Sequence, residues 1–242
     1  MGAIEVFNRV EKKYRVPADV YPDLIKSLKR YMSEDAYCKN SSFYSICNIY
    51  FDTDNNELIR TSIQKPVYKE KLRLRSYGIP KEGDFLFLEI KKKFKGIVNK
   101  RRILLTFDEA KKFMQTMEVP LDGEKVNKQV AKELRYFIDF YDVKPKLFLA
   151  YDRMALFGKD NSDIRITLDK NIRTRRDNLS LIHGDEGEMV LDNNDYLMEI
   201  KVINSMPLWL TDIISAYEIK NVSFSKYGTE YTNYIKRSGF LC

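Results

Sequence analysis

Arginine and lysine recur at every second position in several separate stretches of this sequence, accompanied by a few carboxylates. Residues two apart on an extended strand face the same side. In FNRVEKKYRV, Arg9, Glu11 and Lys13 share a side, with Val10, Tyr14 and Val16 on the other. In YKEKLRLRSYG, Lys71, Arg73 and Arg75 share a side against Leu72 and Leu74. Glu89, Lys91 and Lys93 alternate with Leu88 and Ile90. Tyr151 aligns with Arg153, Arg165 with Thr167, and Glu199 with Lys201. Each strand alone has an ordinary reading, a charged face in water and an apolar face on a core. Across six strands the set is rich in Arg and Lys, and a solvated sheet face would more often mix in Thr, Ser and Gln. If the apolar side packs against helices, the cations point into an interior. Clustered interior cations require an anion to pair with. A phosphate chain with a bound metal supplies one, and the planar Arg fork takes phosphate oxygens in pairs.

The elements that carry these residues read as follows. Strands are predicted around Ile4–Val16, Tyr44–Phe51, Val67–Tyr77, Phe85–Phe94, Val98–Thr106, Lys146–Leu156, Ile164–Leu168 and Tyr196–Val202. Helical spacing marks PADVYPDLIKSLKRYM, TFDEAKKFMQTM, NKQVAKELRYFIDFY, PLWLTDIISAYEI and the stretch after Ser225. The polar stretch from about Asp177 to Asp195 reads as a long loop or hairpin tip. The expected class is α+β: an eight-stranded antiparallel β-barrel tunnel surrounded by helices, closure removing the sheet edges. An open α+β sheet competes with it. With no linker or repeat, one domain over residues 1–242 is the simplest organisation.

Composition narrows the partners. The 242 residues carry a net charge of +7 and include 16 Tyr and 14 Phe, which suits a folded chain with anionic partners. Cys38, Cys47 and Cys242 lack metal-ligand spacing and fit a reducing compartment. The single His183 lies in a polar stretch, which argues against His-based zinc or triad chemistry. No run of about 18 apolar residues suggests a membrane span, and the start of the chain lacks the apolar core of a signal peptide. The expected location is the cytoplasm.

The motifs RVEKKY, NIYFDT, KLRLRSYG, LEIKKKFKGIVNKRR, AYDRMA, RITLD, LMEIKV and FSKYG, in that order, resemble the VTC domain of polyphosphate polymerases, within the triphosphate tunnel metalloenzyme superfamily. The likeness runs from about Phe7 to Tyr227. It implies an ATP-dependent polymerase that passes the γ-phosphate of ATP to a growing polyphosphate chain inside a basic tunnel, with Mn²⁺ or Mg²⁺ as cofactor. It assigns Lys13, Arg73, Arg75, Lys91, Arg153 and Arg165 to the reacting phosphates. It assigns Lys100, Arg102, Tyr151, Lys201, Ser225 and Lys226 to substrate binding. Glu199 is the implied metal ligand, with Glu11 and Glu89 as further metal or supporting carboxylates.

Two positions depart from the pattern. Triphosphatases of the superfamily open with two carboxylates before the lysine, whereas Arg9 precedes Glu11 and Lys13 here. That favours polymerase over hydrolase. Ser223 stands where some polymerases carry a lysine. Hydrolysis of a nucleoside or inorganic triphosphate and non-catalytic polyphosphate binding remain the alternatives. ATP and polyphosphate are the expected partners, with a separate membrane or export partner for any product that leaves the cytoplasm. Nucleic acid is not expected, since no RNP, KH or helix-turn-helix signature is present and the cations are spread over many strands.

Overall fold

The alternating stretches do form strands, and their apolar sides lie against helices. The computed structural model describes residues 9–38, 42–122, 126–160, 163–191, 195–203 and 205–239. The elements in order are β1 Arg9–Val16, α1 Tyr21–Leu28, β2 Met32–Glu34, β3 Tyr44–Asp52, α2 Glu57–Ile63, β4 Tyr68–Tyr77, β5 Phe85–Phe94 and β6 Ile97–Thr106. There follow α3 Phe107–Thr116, α4 Lys128–Tyr141, β7 Lys144–Gly158, β8 Arg165–Arg175, β9 Glu188–Met189, β10 Tyr196–Ile203, α5 Leu208–Ala216 and α6 Lys226–Arg237. Hydrogen-bonded neighbours follow the order β1-β10-β8-β7-β3-β4-β5-β6, with β2 on β7 and β9 on β8. The expected α+β class, with a large antiparallel sheet and helices, is what the chain adopts.

The chain divides into two compact units, each assembled from separated stretches. The first comprises Met1–Tyr44, Tyr151–Ile172 and Leu191–Phe224. Its core takes Tyr14 and Val16 from β1, Ile166 and Leu168 from β8, and Met198, Ile200 and Val202 from β10. These pack with Leu24 and Leu28 of α1 and Leu210 and Ile214 of α5. The second comprises Ser45–Ala150, Arg173–Val190 and Ser225–Cys242. Its core sets Ile49, Phe51, Leu72, Leu74, Leu88, Ile90, Ile103 and Leu105 against Phe113 of α3 and Leu134, Phe137 and Ile138 of α4. Each large apolar side chain buried in this way contributes about 1.5–3 kcal/mol. Summed over a strand, that fixes which parity faces the helices, and the charged parity must take the other side.

Local signals set the helix starts. Thr106 and Glu109 close a reciprocal capping box on α3, and Asn127 Oδ1 accepts from Gln129 and Val130 at the start of α4. The first helix stops short of the predicted Met32. The chain turns after Leu28, and Met32 instead buries its side chain from the short strand β2. Strand β8 runs on to Arg175, past the predicted end at Leu168. The polar stretch after it does form a hairpin, β9 pairing back onto Arg173 and Thr174. Helix α2 was not predicted. Buried Asp52 organises its start, accepting from Leu58 N and Ile59 N at 2.8 and 3.0 Å. Among the described residues no helix is long and apolar enough to cross a membrane.

Candidate functional site

In the second unit, the ladder sets Arg73 opposite Glu89, and Glu89 opposite Arg102, on one polar sheet face. Glu89 is 1% exposed, and four cationic side chains reach it. Arg73 Nη2 lies 2.6 Å from Oε2, and Lys100 Nζ lies 3.2 Å from Oε1. Arg75 and Arg102 approach to 3.9 and 3.8 Å. Burial opposes the charge on Glu89, but Arg73, Arg75 and Lys100 outweigh it and hold its pKa at about 2. Glu89 is therefore an anion at neutral pH. Among the described residues, four cations thus gather on this one carboxylate.

Neighbours hold this cluster in place. Arg75 Nε donates to Asn48 Oδ1 at 2.9 Å, and Asn48 Nδ2 donates to the Leu149 carbonyl at 3.0 Å. Arg73 Nη1 donates to the Tyr50 hydroxyl at 3.2 Å. Burial of Tyr50 resists ionisation, yet Arg73, Lys71 and Arg75 prevail and bring its pKa down to about 8. Arg102 lies over the Phe87 ring, 4.5 Å from its centroid. One step along the face, Lys91 is in register with both Lys71 and Lys100. Lys71 Nζ donates to Ser225 Oγ at 3.2 Å. Ser225 also caps α6, accepting from Gly228 N, and Lys226 opens that helix. Thus Arg73, Arg75, Lys100 and Arg102 meet around the Glu89 carboxylate, Lys91 adjoins them in the ladder, and Ser225 meets Lys71.

In the first unit, Lys13 pairs with Glu199 and Glu199 with Thr167, while Glu11 pairs with Lys201 and Lys201 with Arg165. Lys13 Nζ lies 3.6 Å from Glu11 and 3.9 Å from Glu199, and it donates to the Phe224 carbonyl at 3.0 Å. Lys201 Nζ sits 2.6 Å from the other Glu199 oxygen. Arg153 forks onto fully buried Asp169, through Nε at 2.6 Å and Nη2 at 2.8 Å. Burial works against its charge, but Asp169 more than compensates and keeps Arg153 firmly protonated. Arg153 also lies 5.0 Å from the Tyr151 ring centroid, and Arg165 lies 5.0 Å from that of Phe157.

The carboxylates test the implied metal. Among the described residues no three His, Cys, Asp or Glu side chains converge to hold one. Glu11 and Glu199 do converge, on the same Lys13 ammonium. Two carboxylates completed by phosphate oxygens and water suit Mg²⁺ or Mn²⁺. Glu89 suits the metal role expected of it less well, because it is 1% exposed and four cations already surround it.

Sequence reading missed Asn48, Tyr50 and Asp169 as parts of these clusters. Their signal was available for β3, where Asn48 and Tyr50 alternate with Ile49 and Phe51. Asp169 carried the same signal, continuing the alternation of Arg165 and Thr167 against Ile166 and Leu168, but it falls one residue past the predicted strand end. The Arg9 side chain and Cys242 lie outside what the structure describes. Ser223 is exposed. His183 is an exposed loop residue paired with Asn178, and burial pushes the Cys38 and Cys47 thiols up, away from thiolate chemistry.

Comparison with known proteins adds the family. Subunit 4 of the vacuolar transporter chaperone complex from Schizosaccharomyces pombe is 22% identical over 93% of this chain and 37% of its own length. Its counterpart from Trypanosoma cruzi is 23% identical over 92% of this chain and 34% of its own. The chain thus spans little more than a third of these relatives. Among solved structures, a candidate adenylate cyclase from Bacillus halodurans superposes with a TM-score of 0.56 at 18% identity, covering 90% of this chain and 93% of that one. A candidate adenylyl cyclase from Hippeastrum, described as having a dominant triphosphatase activity, gives 0.50 at 15% identity, with 96% of each chain covered. These likenesses speak for a shared fold. The VTC domain family matches residues 8–234, nearly the whole sequence, and the chain belongs to that family.

Proposed function

We propose that this protein is a polyphosphate polymerase that transfers the γ-phosphate of ATP to the end of a polyphosphate chain. The observation that supports this most is the buried Glu89 with four cations around it. Four cations gathered on one buried carboxylate make a seat that a polyanion would fit. A terminal oxygen of the chain would attack the γ-phosphorus. A new P–O–P bond would form, the β–γ bond of ATP would break, and ADP would leave. No protein nucleophile is needed, because phosphoryl transfer rests on positioning and charge stabilisation. Arg73, Arg75, Lys91, Lys100 and Arg102 in one unit, and Lys13, Arg153, Arg165 and Lys201 in the other, would hold phosphate oxygens. Tyr151 would support Arg153, and Ser225 and Lys226 would add donors beside Lys71. Glu199 and Glu11 would hold a divalent cation, which when bound neutralises charge on phosphate oxygens. The S. pombe and T. cruzi relatives are named as subunits of a complex, so a partner that receives the product fits this reading. The cytoplasm is the proposed place of synthesis.

Hydrolysis is the second reading, prompted by the triphosphatase described for the Hippeastrum protein. Against it stands Arg9, a cation where hydrolases of this superfamily place a carboxylate. The test is incubation with ATP and Mn²⁺, followed by gel separation of phosphate chains and assay of ADP and free phosphate. Long chains are expected. Free phosphate without chains would establish hydrolysis instead, and chain binding without turnover would leave a binding module.

A further inference from the structure

Strand β8 carries two hydrogen-bonding atoms that nothing in the described chain uses. Thr167 is 4% exposed, and its Oγ1 has no hydrogen-bond partner. Arg165 Nε, two residues away, is likewise buried and unpartnered. Ile166 and Leu168, the residues between and beyond, belong to the apolar core, so Arg165 and Thr167 share the opposite face. On that face the ladder puts Glu199 beside Thr167, Lys13 beyond Glu199, and Lys201 beside Arg165.

A buried hydroxyl without a partner is costly, and a valine of nearly the same shape would avoid the cost while suiting a strand as well. Thr167 thus keeps a polar atom at a position where folding alone would be better served without one. Among the described residues nothing supplies its partner, and a bound ligand would. The neighbourhood defines the chemistry. Arg165 Nε, Lys201 and Lys13 are cationic donors, so an anion with several acceptor oxygens fits, and the Thr hydroxyl can donate to it. The Arg165 guanidinium lies against the Phe157 ring, an arrangement that occupies its face and leaves its in-plane N–H groups to bind.

We propose that Thr167 is a phosphate-binding residue, its hydroxyl and Arg165 Nε together receiving one phosphate group next to Glu199. This rests on the functional reading above and deepens it. Thr167 places that phosphate beside the carboxylate proposed to hold the metal, and a side chain without a hydroxyl would leave it less fixed.

The test uses the full chain and inorganic tripolyphosphate as the probe, in metal-free buffer, with calorimetric binding and thermal unfolding measured together. Thr167→Val should weaken tripolyphosphate binding about tenfold, the loss expected for one hydrogen bond to a charged group. Without ligand the same variant should unfold at the wild-type temperature or above it, because a buried unmade bond has been removed. Thr167→Ser should restore binding to within about twofold of the wild type. A purely structural hydroxyl would do the opposite, with Thr167→Val lowering the unfolding temperature, and that result overturns the inference. So does a Thr167→Val variant that binds like the wild type. If the wild type itself ignores tripolyphosphate, the functional reading falls first, and the inference with it.

Discussion

Glu89 is the residue on which stability and function pull apart. Its pKa is lowered from 4.5 to about 2 by the cations around it. A carboxylate depressed in the fold stabilises it fully above the unfolded pKa. That contribution, about 3 kcal/mol, is lost as pH falls from near 4.5 toward 2. Glu89→Gln should therefore lower neutral-pH stability by about this much and flatten the acid limb of a stability–pH curve. The same change removes a negative charge from the proposed phosphate seat, so tripolyphosphate should bind more tightly; weaker binding would mean that Glu89 contacts ligand or metal directly. Tyr50 gives a second handle. Its pKa of about 8 predicts one phenol titrating early in ultraviolet absorbance, absent from Tyr50→Phe. Ionised Tyr50 is favoured in the fold, so its contribution to stability is present above pH 10 and is lost as pH falls through 8. Glu199→Gln, by contrast, should chiefly remove the metal response of turnover; an unchanged metal titration would move the metal elsewhere.

At the scale of elements, the charged parity of β4 and β5 was readable because charged and apolar residues alternate over Lys71–Arg75 and again over Leu88–Lys91. Register was not readable. Nothing in the sequence says that Glu89 sits between Arg73 and Arg102, because cross-strand pairing depends on turns and packing far from those residues. Strand β8 shows a related limit. The predicted strand ends at Leu168, yet the chain stays extended to Arg175 through a positive φ of 49° at Asn171, and Asp169 pairs with Arg153 from within it. Helix α2 escaped notice because its start is organised by an Asp five residues before Glu57 rather than by a cap at Asn56, whose side chain makes no capping bond. Helix α6 joins structure to site through Ser225, which both caps the helix and accepts from Lys71. Ser225→Ala should cost about 1 kcal/mol of stability and also weaken phosphate binding. Ser225→Asn, which can still cap, should recover the stability; failure to do so would place the effect outside the cap.

For the molecule as a whole, family membership was legible in the ordered motifs, each weak alone and specific only in sequence. Activity was less legible, because a cationic strand face serves polymerase, hydrolase and binder alike. The central claim is that the γ-phosphate of ATP ends in a growing chain. The most direct test supplies ATP labelled in its γ-phosphate together with Mn²⁺ and follows the label. The account predicts label in acid-precipitable phosphate chains, with ADP released in equal amount. Label recovered only as inorganic phosphate, at the same yield of ADP, would contradict it.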